Sequence, residues 1–360
     1  MRKQYFLIST FAFCAAAISN AYGVLGESVV LDPNTGDYLI TYYGAGASGD
    51  KKNRILRQTI FVPATKIDPL VNSTFKLRDD DQVVYTYRVT NGVKSRQPLI
   101  SMLFDPVTDI VSALPLPKRR QDVDLNTIDQ VDAAGVTALT TPDGWIGRNT
   151  TSHMGGLRIG WGYGDLSAAT DGLAPGKTQA GFGFSSTDIP GIGMAQMQGD
   201  TPIMGYPDDG PSLKSEVSKQ LEQIEQNNFV TRPAAIPTIA VPDPFDPAVS
   251  LERIQAHTHT WIAKQLLETS FSAQLDRYFQ SAISAYRLNQ PKVGKKHIQT
   301  MRELIHKEYP DMGRDEEHES ENNQGKDDEN KSALIDRLAA RILDFDLKYV
   351  TRRMGGVEND

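Results

Sequence analysis

At Ser250 the spacing of apolar residues changes along this 360-residue chain, and one fold class cannot accommodate both sides of the change. Beyond it, Phe271, Leu275, Phe279, Ile283 and Tyr286 recur at intervals of three or four, as do Leu334, Leu338, Ile342, Phe345 and Tyr349. Stripes with that period bury one side of an α-helix. Leu251 to Leu267 and Pro291 to Glu308 make two more, so the expectation for 250–354 is a four-helix domain. Residues 312–331, between the third and fourth helices, are acidic, asparagine-rich and nearly free of apolar side chains. Such an insert is expected to be disordered, since it cannot bury enough surface to order itself.

Before Ser250 the pattern is that of strands. Over 24–206, short apolar runs are punctuated by glycine, proline and aspartate without a helical period. Val29 to Leu31 and Tyr38 to Tyr43 flank the turn formers Asp32-Pro33-Asn34-Thr35-Gly36-Asp37, which predicts a hairpin. Further strands are expected at 54–62, 83–90, 99–104, 135–139, 157–163, 179–184 and 193–197. In Val83 to Val89 the odd-numbered residues are all apolar or aromatic and share one face, so that strand is wet on one side only. Phe182 and Phe184 alternate with Gly181 and Gly183, whose bare positions permit close backbone approach. About nine strands joined by turn chemistry argue for a sandwich. Residues 207–249 read as a proline-rich connector carrying one short helix, with Val217, Leu221 and Ile224 at helical spacing after a cap at Ser212 or Ser215. The fold class expected is thus an all-β immunoglobulin-like sandwich followed by a separate all-α helical bundle.

The first 23 residues have the order of a secretory signal peptide: Arg2 and Lys3, an apolar stretch from Tyr5 to Ile18, then the small residues Ala21 and Gly23 before the expected cut. The stretch is too short to span a bilayer, so the expected product is secreted or periplasmic and has no transmembrane segment. Cys14, the only cysteine, would leave with the peptide, so stability must come from packing and not from disulfides. The formal charge is −7, and loss of Arg2 and Lys3 takes it to −9. A field of that sign does not attract nucleic acid.

The motifs of this chain point to little chemistry. Gly44-Ala45-Gly46-Ala47-Ser48-Gly49 spells a dinucleotide fingerprint, but a strand pattern follows where the pyrophosphate would need a helix N-terminus. Asp32, Asn34 and Asp37 offer oxygens of the kind calcium takes, as do Asp79, Asp80 and Asp81; calcium is the one ion to consider, and turn or loop is the favoured reading. His257 and His259 lie two apart on a helix and point away from each other, and His297, His306 and His318 lack cysteine partners, so packing or surface roles are expected. No serine sits in a nucleophile elbow, and no catalytic, cofactor-binding or metal residue is assigned. Trp145 and Trp161 are the candidates for ligand stacking, against a core role; Trp261 is read as packing.

The run Tyr85-Thr86-Tyr87-Arg88-Val89-Thr90-Asn91, with Pro142-Asp143-Gly144-Trp145, Leu173-Ala174-Pro175-Gly176 and Gly181-Phe182-Gly183-Phe184, resembles a group of exported bacterial β-sandwich proteins of unknown function. The C-terminal part resembles the FIMAH type of helical domain through Phe271-Ser272-Ala273-Gln274-Leu275-Asp276-Arg277 and Gly294-Lys295-Lys296-His297-Ile298. The acidic insert departs from that pattern before the last helix. The resemblance implies an adhesion-type, non-catalytic protein of the bacterial exterior, whose partners would be an extracellular glycan or a cell-surface protein. The alternative expectation is a secreted hydrolase acting on polysaccharide through paired carboxylates.

Overall fold

The computed structural model describes residues 26–44, 54–104, 136–151, 157–163, 172–201, 215–226, 228–310 and 333–355. The signal peptide at 1–23, the glycine-rich stretch at 45–49, the acidic insert at 312–331 and His318 lie outside the described residues. The chain divides into two compact units, Met1–Phe61 with Ile203–Gln223, and Val62–Pro202 with Ile224–Asp360.

The first unit holds an antiparallel sheet of three strands in the order β1 (Ser28–Leu31), β2 (Tyr38–Gly44), β3 (Ile55–Phe61). The expected hairpin turn joins the first two. Asp32 accepts the Asn34 N–H on Oδ1 and the Thr35 hydroxyl on Oδ2, both at 2.9 Å, and Gly36 closes the turn at φ 67°. Side chains alternate across the sheet, so Ile40, Tyr42 and Phe61 are buried on one face. Helix α1 (Glu216–Glu225) starts at Ser215, whose hydroxyl oxygen accepts the Ser218 N–H at 3.1 Å.

The second unit contains two antiparallel sheets. One has the order β4 (Pro69–Leu77), β5 (Val83–Asn91), β10 (Thr178–Ser186), β7 (Val136–Thr140). The other runs β12 (Val230–Ile239), β11 (Ile189–Gly199), β6 (Leu99–Phe104), β9 (Leu157–Tyr163), β8 (Trp145–Thr151). Their inner faces meet in aromatic contacts: Tyr87 lies 4.4 Å from Phe104 between ring centroids, and Phe104 and Phe184 pack on Trp161 at 5.9 and 6.3 Å. Gly181 sits at φ 99° where a bulge shifts the register between Ala180 and Phe182.

Three strands were hidden in the sequence. In β4 the polar run Asn72-Ser73-Thr74 interrupts the apolar signal, and β8 follows directly on the turn at Pro142. The third, β12, occupies part of what reads as a connector. Its prolines are tolerated because of their phase. Ala235 gives its N–H to the Ser73 hydroxyl at 3.1 Å and takes the Tyr87 hydroxyl proton on its carbonyl at 2.8 Å, so both groups face away from β11. Pro233 and Pro237 share that phase, and the N–H each lacks would have pointed out of the ladder.

Helices α2 (Pro247–Ala263), α3 (Thr269–Arg287), α4 (Pro291–Glu308) and α5 (Arg337–Arg353) follow in the expected order, with α2 beginning and ending four residues before the stretch Leu251 to Leu267 that the pattern gave. Asp246 and Asp336 cap α2 and α5 through two backbone N–H groups each. Sheets and helices share one continuous core in this unit, where the change of period suggested two. The reason is α5, which is buried on several sides because it lies against α2, α4, β11 and β12 together.

Candidate functional site

Trp161 is 1% exposed, its indole N–H bonded to the Thr140 carbonyl at 3.1 Å, and Trp145 is 7% exposed with Tyr163 and Phe182 set edge-on to it. A stacking platform needs a ring face open to solvent; both rings lie inside the core of the second unit. Trp261 is fully enclosed as well.

Among the described residues, the largest gathering of perturbed ionisable groups lies where the chain passes from β10 to β11. Ser186 accepts the Asp188 N–H at 3.0 Å in that corner, and the Asp188 carbonyl accepts the Tyr85 hydroxyl at 2.8 Å. Burial pushes the Asp188 carboxyl up to about 6, against the Val241 N–H and the Arg253 charge, which pull it down. On α5, Asp346 is completely buried, neither carboxylate oxygen has a hydrogen-bond partner among the described residues, and burial drives it far above the usual carboxylate range. Tyr85 feels both carboxyls, and its hydroxyl is pushed up chiefly by burial. Asp188 has the acidity of a group that can exchange a proton near neutrality. Asp346 is fully enclosed, and its burial disfavours the charged form.

Around these groups the side chains clamp α5 to the sheet. Arg353 pairs with Asp81 at 2.9 Å and lays its guanidinium over Phe245 and Tyr349, while Arg352 approaches Asp79 at 4.0 Å and Arg78 takes Asp80 at 3.1 Å. The aspartates at 79–81 therefore meet arginines, two of them in the last turn of a helix whose dipole favours cations there. Among the described residues no grouping of three or more His, Cys, Asp or Glu side chains is placed to hold a metal ion, and no helix is long and apolar enough to cross a membrane.

Each histidine of the helices joins two elements. His257 on α2 accepts the Ile192 N–H of β11 on Nε2 at 3.0 Å, and Lys264 donates to the Ile192 carbonyl at 3.2 Å. His259 reaches Asp276 on α3 at 2.7 Å, His297 packs on Tyr278, and His306 reaches Asp344 at 3.0 Å. Asp344 also takes Arg302 at 2.8 Å and Lys348 at 3.1 Å. Burial raises its carboxyl, but the Arg302 hydrogen bond and the three neighbouring charges outweigh that and hold it below the usual range.

In the first unit the outer face of the sheet has a different composition. Register puts Val30, Leu39 and Ile60 in one row across the three strands, Ser28, Thr41 and Gln58 in the next, and Tyr43 beside Leu56 in the third. None of the eight is charged. The first row is 56, 43 and 61% exposed. The strand pattern carried the signal of this apolar row without revealing which face would stay open. No protein-family model matches the chain, and no curated protein matches it.

Proposed function

We propose that this chain is an exported, non-catalytic binding or structural protein of the bacterial exterior, adhesion-like in mode, acting in the periplasm or beyond it. The observation that carries the reading is the uncharged outer face of the three-stranded sheet, with Val30, Leu39 and Ile60 left to water in one row. In the same reading the paired sheets are a sandwich of the immunoglobulin-like kind, and the helices descend from a FIMAH-type module that has fused its core with it. Phe271 and Leu275, which carry part of that resemblance, are both core residues of α3. The test is retention on cell envelopes and on a glycan panel, comparing the purified protein with Leu39→Lys. Retention that the substitution abolishes supports the reading; equal retention, or none, refutes it.

A secreted polysaccharide hydrolase is the second reading, favoured by Asp188 with its acidity near 6. It predicts release of reducing ends from some polysaccharide, abolished in Asp188→Asn. Turnover unchanged by that substitution would remove Asp188 from consideration.

A further inference from the structure

We infer that the uncharged sheet face of the first unit is a self-association surface, covered by the same face of a second copy of this chain; the inference rests on the binding reading above. Charged residues make up 23% of the sequence and the formal charge is −7, so two copies repel each other on balance, and an interface made from charged surface would need its opposite charges brought into register. The eight residues at 28, 30, 39, 41, 43, 56, 58 and 60 carry no charge. Two copies can close here without placing like charges together.

The occupant follows from the chemistry of the rows. A charged partner would find no ion-pairing group on this face, and the row with the greatest exposure is aliphatic, without a ring for a sugar to stack on. An aliphatic row is complemented by another, and a twofold axis supplies one from the same sequence. Sheets stacked face to face sit about 10 Å apart with strands within roughly 30° of each other, so Val30, Leu39 and Ile60 meet their mates while Ser28 and Gln58 stay at the margin. Size limits the strength. Three strands spaced about 4.8 Å apart and about 20 Å long offer roughly 300 Å² in projection, against roughly 800 Å² per partner in a standard interface. The association is therefore weak and concentration-dependent.

Sedimentation velocity of the purified full chain, from low micromolar to near-millimolar, reads this directly. The mass is expected to move from monomer towards dimer, further so in high salt, which screens the repulsion between copies. Ile60→Lys places a charge in the apolar row of the interface, on the edge strand β3, and is expected to weaken the dimer by about tenfold or more. Because Ile60 is 61% exposed, its replacement should leave the melting temperature unchanged, which separates lost association from lost folding. A wild-type chain that stays monomeric at the highest concentration overturns the inference, as does an Ile60→Lys chain that dimerises equally well. If that monomer still binds envelopes through Leu39, the binding reading stands and the occupant is another molecule; if it binds nothing, both fall.

Discussion

The hydrogen bond between His257 and Ile192 fixes the protonation state of the imidazole. A backbone N–H can only donate, so Nε2, at 3.0 Å, carries no proton. Strand β6 pairs with β11 only from Ala195 to Gly199, and among the described residues no strand pairs with Ile192 on that side. His257 and Lys264 take its place, one accepting and one donating.

Replacing His257 by Phe keeps a ring but removes the acceptor, leaving the Ile192 N–H without this partner. The expected loss is about 1 to 3 kcal/mol of unfolding free energy, read by urea titration. An ¹⁵N spectrum at neutral pH should show the His257 Nε2 unprotonated; a protonated signal there would contradict the geometry.

Gly191 makes that approach possible. A Cβ at this position would stand 2.0 Å from the Thr238 hydroxyl oxygen and 2.3 Å from His257 Nε2. Gly191→Ala is expected to destabilise by about 1 to 3 kcal/mol, and to couple non-additively with His257→Ala, since the two share one space. Additive effects in a double-mutant cycle would show that the contact is not made.

Asp188 and Asp346 both make stability fall as pH rises. Their carboxyls ionise less readily folded than unfolded, so folding is favoured below the ordinary carboxylate range near 4 and disfavoured above it. For Asp188 the loss is confined to the window from about 4 to about 6. For Asp346 it continues upward at about 1.4 kcal/mol per pH unit until the buried acid ionises. Asp346→Asn should therefore gain on the wild type in thermal unfolding as pH rises above the ordinary carboxylate range near 4. Parallel profiles would mean that Asp346 is ionised or solvated.

Asp344 behaves in the opposite sense. Held below the usual range, it stabilises the fold above the unfolded-state value and gives that up as pH falls through its lowered one. Asp344→Ala removes the Asp344 carboxylate from Arg302, itself only 12% exposed, and from His306 and Lys348. A loss of about 3 kcal/mol is expected by denaturant titration; a change below about 1 kcal/mol would place the pair effectively in water.

The helices could be read from the sequence because four apolar stripes of period 3.6 survive any tertiary context, and α4 runs from Pro291 to Glu308 as its pattern says. Strands with clean alternation, such as Val83 to Asn91, were equally plain. The strand β12 was not, because prolines signal a break unless the phase of the ladder is known, and phase is a property of the partner strand. The shared core was hidden for a related reason: a stripe tells that a helix buries one side and says nothing about what lies across from it. Asp346 gave no signal at all, since an aspartate between Phe345 and Leu347 reads as the wet side of an amphipathic helix. The candidate stacking residues Trp145 and Trp161 were singled out by type, whereas the open row of Val30, Leu39 and Ile60 depends on three strands at once.

The bonds that Ile192 makes to His257 and Lys264 also govern divisibility. A chain ending after β12 would leave the Ile192 N–H and carbonyl without these partners and the sheet's apolar residues uncovered, and the helices alone would lack the surface against which α5 is buried. Proteolysis in the stretch 240–246 should accordingly yield a nicked molecule that stays together, not two fragments that part and fold on their own.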